Sequence, residues 1–393
     1  MSDDALGRLD ALAQVALRIA QSARSGRVAL AQLHAVLDPA WLTRPRGRRL
    51  LETLESASHA AIEPVEVSRV HAVLKEAWGA SPAEELDEFE PEPLAVTPTA
   101  QVHRGRLDGA PVAVKVIRPG LPASVRQDVA LLEALAAPLA GAFPALDVAS
   151  ILAELRERVL EQFDLEHEAM IQRRFHRALR GHPELLVPAP VMRLCHETVL
   201  VAELVPGIPL WRAEDPDRAA AQLVRFVFGA ARWGVAYADP DGENALLTED
   251  GRLAIVDFGF CREVDPDRLA AATDALAALI ENDVDALARS VHALGWLSPE
   301  DAPAALELAH ALLGEHLSGS PSRLDAEAVL AIGQRLRAHA PELAWLLPGA
   351  ALAPADLWPA RGFVELFGTI ARLGASGEWA ALGLEALRTG FGS

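Results

Sequence analysis

Tyr237-Ala238-Asp239-Pro240-Asp241-Gly242-Glu243-Asn244, followed thirteen residues later by Asp257-Phe258-Gly259, is the stretch whose reading decides this fold. Between the two groups, Ala245–Thr248, the turn Glu249-Asp250-Gly251 and Arg252–Val256 read as a β-hairpin. Hard magnesium prefers oxygen ligands, which the Asp257 carboxylate and the Asn244 amide can provide. Asp239, five residues before Asn244, can accept a proton from an attacking hydroxyl. An EF-hand reading of the same run fails, because its glycine falls too early and the terminal glutamate is missing.

Working outward toward the N-terminus, Gln101–Leu107 and Pro111–Ile117 are short β-type runs around Asp108-Gly109, a strong hairpin signal. On a strand, Val112, Val114 and Val116 share one face, with Ala113 and Lys115 on the other. An ammonium in mid-strand needs a partner or an anionic ligand, since an unpaired buried charge is costly. Lys115 would neutralise nucleotide phosphates while a helix glutamate holds it. An Asp-Phe-Gly tripeptide or a Val-Ala-Val-Lys strand alone arises easily by chance. In this order, with hairpins and helices between them, they form the base and magnesium arrangement of protein-kinase-like phosphotransferases.

Composition narrows the field further. The 393 residues carry a formal charge of −19 and are 51% apolar, enough for one or two real cores. The chain has only two lysines (Lys75, Lys115), two asparagines (Asn244, Asn282) and one tyrosine, Tyr237. Arginine and alanine are abundant, a pattern of GC-rich coding that marks the surviving rare residues as worth locating. Cys195 and Cys261 lie far apart without metal-ligand spacing, so a disulfide scaffold or structural zinc is not expected. The acidic N-terminus has no apolar signal core, and the uncharged stretches 134–146 and 343–355 fall short of the ~20 residues of a membrane helix. The expectation is a cytoplasmic protein that does not bind nucleic acid, with peripheral contact at the inner face of the cell membrane left open. The basic island Arg44–Arg49 reads more plainly as a solvated turn than as a membrane contact.

The organisation is α+β and two-lobed. Residues 1–80 form an N-terminal helical extension, with apolar spacing over Leu9–Ile19 and Val65–Trp78. The acidic, proline-rich stretch 82–93 reads as a solvated connector. Residues 81–207 make a small N-lobe, with helical pattern over 122–178 broken near Gly141–Pro144, and β-like runs at Pro190–Leu194 and Thr198–Leu204. Residues 208–393 make a C-lobe with a helix over Arg218–Val235 and helices throughout from 265. His167, His176 and His182 read as surface residues, Met170 and Phe175 as core, and Cys261 as packing.

Beyond the core motifs, the sequence resembles the UbiB/AarF group of atypical protein-kinase-like proteins. The resemblance rests on Phe89–Ala95, Ala100–Arg104, Val112–Leu121, Gln162–Ala169, Val199–Leu210 and Asp257–Arg268, and covers roughly residues 80–300. It implies that Glu168 pairs with Lys115, that Glu203–Val205 form an adenine hinge, that Ala95–Ala100 replace a glycine-rich loop, and that Ala95, Ala100, Gln101, Lys115, Glu203 and Val205 bind the cofactor. It implies ATP or ADP with Mg2+ as cofactors, catalytic roles for Asp239, Lys115 and Glu168, and metal roles for Asn244 and Asp257. It also implies an atypical kinase or ATPase in ubiquinone or isoprenoid-lipid metabolism, with a small lipophilic molecule or quinone-pathway proteins as partners. After Asp257-Phe258-Gly259 the chain has no long activation segment that could seat a protein substrate.

Several positions depart from that pattern. Ala29-Leu30-Ala31-Gln32 keeps only the glutamine of the family's K-x-G-Q motif, Gln162 stands where the family has glutamate, and Val96–Thr99 interrupts the alanine-rich loop. Tyr237 stands where relatives carry histidine and marks the expected change in mechanism. A catalytically silent pseudokinase, acting as a nucleotide-gated binding or scaffold module, is the alternative, and an antibiotic-type small-molecule kinase a third.

Overall fold

Asp108 and Gly109 both adopt positive φ, 51° and 78°, as the two-residue turn of a right-twisted hairpin requires. This computed structural model of the protein describes residues 63–97, 99–121, 147–161, 163–346, 350–351 and 353–392. The helical spacing at Leu9–Ile19, Ala29–Gln32, the Arg44–Arg49 island, 122–146 and Gln162 lie outside these residues.

The chain enters with α1 (Val67–Trp78) and a single turn α2 (Pro82–Glu85), then β1 (Glu88–Val96), β2 (Ala100–Leu107) and β3 (Ala110–Ile117). The expected connector over 82–93 is therefore ordered structure. Three features permit a strand with two prolines there. β1 is the edge of the antiparallel sheet, it pairs only with β2, and its register slips on both sides of Pro93, so a missing N–H costs little. Helices α3 (Val148–Glu161) and α4 (Leu165–Ala178) follow. The short strand β4 (Leu185–Leu186) comes next, and β5 (Val199–Glu203) then closes the first sheet in the order β1-β2-β3-β5. The β-like run at 190–194 becomes a 3-10 turn over Met192–Leu194, with only Pro190 bridging to Ala202.

Strand alternation sorts this sheet into two faces. Val112, Val114, Val116, Val199 and Val201 pack against Val70 and Leu74 of α1. Ala100, Ile117, Leu200 and Ala202 pack against Phe163, Leu165 and Ala169 at the start of α4. Helix α1 thus shares a core with the N-lobe sheet.

The second lobe begins with β6 (Ile208–Pro209) and α5 (Pro216–Arg232), which ends earlier than expected because Gly234 turns the chain at φ 97° into β7 (Val235–Tyr237). The anticipated hairpin is β8 (Ala245–Leu247) and β9 (Leu253–Ile255). With β4 and β6 it forms a second sheet in the order β4-β9-β8-β6. β10 (Cys261–Glu263) pairs antiparallel with β7. Helices α6 (Pro266–Glu281), α7 (Val284–Leu294), α8 (Ala302–Leu317), α9 (Ala326–Ala338), α10 (Ala340–Leu346), α11 (Leu357–Leu373) and α12 (Trp379–Thr389) complete the lobe. One small strand pair, β11 (Ser322–Arg323) with β12 (Ser376–Gly377), interrupts the all-helical reading of this region. The core gathers Phe226 of α5, Tyr237, Phe258 and Phe175 of α4. Met170, by contrast, is 44% exposed rather than core.

Leu74 is fully buried between α1 and the sheet. Leu74→Ala is expected to lower stability by about 2–5 kcal/mol in urea denaturation, which a helix merely resting on the lobe would not show.

Candidate active site

Lys115 occupies the centre of β3, opposite Val102 of β2 and Leu200 of β5. Its Nζ donates to both oxygens of Glu168, at 2.8 and 3.0 Å, and to Oδ2 of Asp257 at 2.7 Å. Glu168 arrives on α4, whose first turn is capped by Asp164 accepting from the His167 N–H. Seven residues along the same face, Phe175 stacks on Phe258 at 5.2 Å. The Phe258 N–H also donates to Glu168. One helix therefore sets both the glutamate and the ring following Asp257.

The electrostatics of this triad are strongly coupled. Burial disfavours the Lys115 ammonium, but Asp257 and Glu168 outweigh it and hold the pKa above the ordinary lysine value. Burial pushes the Glu168 carboxyl upward, only partly offset by Lys115. For Asp257 burial is overcome by Lys115 and by the Gly259 N–H at 2.9 Å, so its pKa lies below the usual carboxylate value.

The Asp239 loop sits across the hairpin, where the Val256 N–H donates to the Asn244 carbonyl. Asn244 Nδ2 donates to Asp239 Oδ2 at 2.9 Å and to the Asp239 carbonyl at 3.2 Å. The amide nitrogen is thus committed, which leaves the side-chain oxygen of Asn244 as its remaining donor. The Asp257 carboxylate and the Asn244 amide oxygen are of the hard type that magnesium takes. Among the described residues no cluster of three or more His, Cys, Asp or Glu forms a metal cage.

Tyr237 corrects an expectation. Its side chain is only 2% exposed and packs edge-on to Phe226 at 5.2 Å, while its hydroxyl donates to the Asp257 carbonyl at 3.1 Å. It anchors the Asp257 backbone from within the aromatic core. Gln101 is also misplaced in the sequence reading. It lies on the opposite face of the sheet from Lys115, where its amide engages the Val65 backbone and His103. Ala100 is fully buried in the core, and Thr97 holds the turn into it by accepting the Ala100 N–H at 3.0 Å. Ala95, in contrast, is exposed and aligned through Val102 with Lys115. Glu203 ends β5 with its carboxylate accepting from the Ala189 N–H. Leu204 donates to the Pro111 carbonyl, and Val205 continues into the second lobe.

The family model for the ABC1 atypical kinase-like domain matches residues 58–291. The chain belongs to the ABC1 atypical kinase-like family. Among curated relatives it is 31% identical over 222 residues to the uncharacterized protein sll0005 of Synechocystis, which spans 53% of this chain and 32% of that relative. It is 26% identical to the mitochondrial atypical kinase COQ8B of Danio rerio over 61% of this chain and 39% of that protein. It is 33% identical to the probable protein kinase UbiB of Azotobacter vinelandii over 38% of this chain and 28% of that protein. The chain therefore spans about a third of the length of these relatives. Its fold is similar to that of Rv3197 from Mycobacterium tuberculosis, solved with erythromycin, with a TM-score of 0.63 and 23% identity over 88% of this chain and 87% of that one. These matches place the chain with UbiB/AarF proteins and support the kinase-like α+β fold. No helix among the described residues is long and apolar enough to cross a membrane.

Sequence reasoning reads a helix here but misses that α11, beyond the family-matched residues, reaches the Asp239 loop. Arg361 donates to the Ala238 carbonyl and, at 2.8 Å, to Asp239 Oδ1. Gly362 packs so closely that a Cβ there would come within 2.6 Å of the Tyr237 carbonyl, and the Thr369 hydroxyl donates to the Pro240 carbonyl at 2.8 Å. The available signal was Arg361, Glu365 and Thr369 recurring at helical spacing within an apolar run. On the other side of the loop, the Trp211 ring lies flush on Gly242, and Arg372 stacks over that ring at 4.0 Å.

Two outcomes follow. In Lys115→Met, Glu168 and Asp257 lose their cation and their folded pKa values rise. That component of stability is present below the unfolded carboxylate pKa and lost as pH rises through the folded values. The melting-temperature deficit of the variant against wild type should therefore shrink from pH 7 to pH 5; a deficit independent of pH would contradict the buried triad. Tyr237→Phe leaves the Asp257 carbonyl without its donor and should cost about 1–3 kcal/mol in urea denaturation.

Proposed function

We propose that this chain is a magnesium- and nucleotide-dependent atypical kinase or ATPase that serves ubiquinone or isoprenoid-lipid metabolism. One observation carries the reading: Lys115, Glu168 and Asp257 converge within hydrogen-bond distance, while the adjoining loop holds Asp239 and Asn244 in mutual contact. In this reading Lys115 binds nucleotide phosphates, Glu168 orients it, and Asp257 with Asn244 holds magnesium. Glu203–Val205 and Ala95 border the nucleotide, and Asp239 accepts the proton of the attacking hydroxyl. A bound magnesium ion would neutralise charge on the transferring phosphoryl group. The names of COQ8B and UbiB among the relatives support the kinase reading, and the resemblance to the UbiB/AarF group supports a quinone-linked role. A lipophilic acceptor and a peripheral membrane setting belong to the same proposal.

A silent, nucleotide-gated binding module is favoured by one detail, since both Asp239 oxygens already accept hydrogen bonds from Arg361 and Asn244. Thermal unfolding with ATP or ADP, with and without magnesium, tests the common part of both readings. At a nucleotide concentration of 100 times Kd the expected stabilisation is about 2.7 kcal/mol, dependent on magnesium and absent in Asp257→Ala. Stabilisation that survives Asp257→Ala combined with Lys115→Ala would sink the site. ATP turnover in the presence of detergent or lipid then separates enzyme from silent module.

A further inference from the structure

Arg361 stands outside the family-matched residues yet pairs directly with Asp239 at 2.8 Å. Its guanidinium grips the loop at two points, the Ala238 carbonyl and Asp239 Oδ1, and its face lies 4.4 Å from the centre of the Phe260 ring. Phe260 is in turn fixed, because its carbonyl accepts the Ala238 N–H at 2.9 Å. Glu365, one helical turn on, lies 3.9 Å from the same guanidinium. Asn244 completes the arrangement by binding Asp239 Oδ2 and the Asp239 carbonyl. Asp239 is thus clamped on both oxygens by two residues that approach from different elements.

Stability alone does not account for this pair. Gly362 and Thr369 already dock α11 on the loop through van der Waals contact and a buried hydrogen bond. A buried ion pair is a weak stabiliser compared with apolar packing of the same volume. Moreover, Arg361 Nε is buried with no hydrogen-bond partner among the described residues, which is itself unfavourable. A planar fork at this position does what an apolar side chain cannot: it sets the direction of a carboxylate.

We propose that Arg361 is a positioning residue for phosphoryl transfer, fixing the Asp239 carboxylate so that its remaining lone pairs face the acceptor hydroxyl. This rests on the nucleotide reading given above. In the step it serves, the acceptor oxygen forms a bond to the γ-phosphorus of ATP as the bond to the β,γ-bridging oxygen breaks. The bridging electron pair leaves with ADP, and the acceptor proton passes to Asp239. Each carboxylate oxygen has a second lone pair beside the one used by Arg361 or Asn244, so the clamp leaves the proton a destination.

Steady-state ATP turnover of the full chain with magnesium, for wild type, Arg361→Met and Arg361→Lys, tests the assignment, with melting temperature and near-ultraviolet circular dichroism reporting folding. Arg361→Met is expected to lower kcat by about 10–100-fold. KM for ATP and the magnesium-dependent nucleotide shift in melting temperature should stay within about twofold, and Arg361→Lys should recover part of kcat. An unchanged kcat in Arg361→Met overturns the proposal. So does parallel loss of folding, nucleotide shift and kcat in both variants, which marks a structural role. A wild type that shows no magnesium-dependent nucleotide shift refutes the nucleotide site itself. A wild type that shows the shift but no turnover leaves the site standing and removes the catalytic positioning.

Discussion

An ammonium group held between two carboxylates, partly shielded from water, is the constraint around which this protein is arranged. Lys115, Glu168 and Asp257 come from three distant segments, and none can be moved without leaving an uncompensated buried charge. Each partner is therefore fixed by something other than the ion pair. β3 is hydrogen-bonded on both sides, by β2 and β5. Helix α4 is capped by Asp164 and buries Leu165 and Phe175. Asp257 is anchored at its backbone by Tyr237 and at its carboxylate by the Gly259 N–H. The triad contributes little net stability of its own; the apolar clusters on either side supply that and tolerate the triad as the site's cost.

The Asp239 loop is secured from independent directions. Tyr237 lies beneath it in the aromatic cluster of Phe175, Phe226 and Phe258. Trp211 covers Gly242, a position where any Cβ would collide with the indole. Helix α11 closes the remaining side with Arg361, Gly362 and Thr369. Such redundancy is what a short loop needs if a buried carboxylate is to keep one orientation. Asp239 is under tension of this kind, since burial raises its pKa while Arg361 pulls it down.

The legibility of this chain followed the range over which its signals act. The hairpins were readable because Asp108-Gly109 and Asp250-Gly251 dictate turns locally, and Val112–Val116 displays its two faces by alternation. Lys115, Asp239, Asn244 and Asp257 were readable because their residue types are rare here and chemically hard to replace. β1 was not, since edge position rescues Pro91 and Pro93 and nothing local announces an edge. Gln101 reads as cofactor-binding because the resemblance places it near the loop without saying which way the strand points it. Tyr237 was assigned a role in mechanism because its burial depends on Phe226 and Phe258, which approach from elsewhere. Arg361 shows only its helical spacing for the same reason, as tertiary packing alone brings α11 to the loop.

The acidity of the chain now has a partial explanation. Asp164, Asp215, Asp265, Asp283 and Asp325 each accept a backbone N–H at a helix N-terminus, where a carboxylate satisfies orphan donors and favours the helix dipole. These charges shape helices rather than present a field to a partner. The site is different. Lys115 and Arg361 face Glu168, Asp257, Asp239 and Glu365 there, two cations against four carboxylates. Burial raises the pKa of Glu168, Asp239 and Glu365 but supplies no positive charge. In the proposed reading, a polyphosphate at this site would meet Lys115 already paired with two carboxylates, so the lysine alone would not receive it. A divalent cation bound through Asp257 would both neutralise the incoming phosphates and release Lys115 from that carboxylate. On electrostatic grounds, then, metal and nucleotide are one requirement in the proposed reading, and magnesium dependence is the property by which it stands or falls.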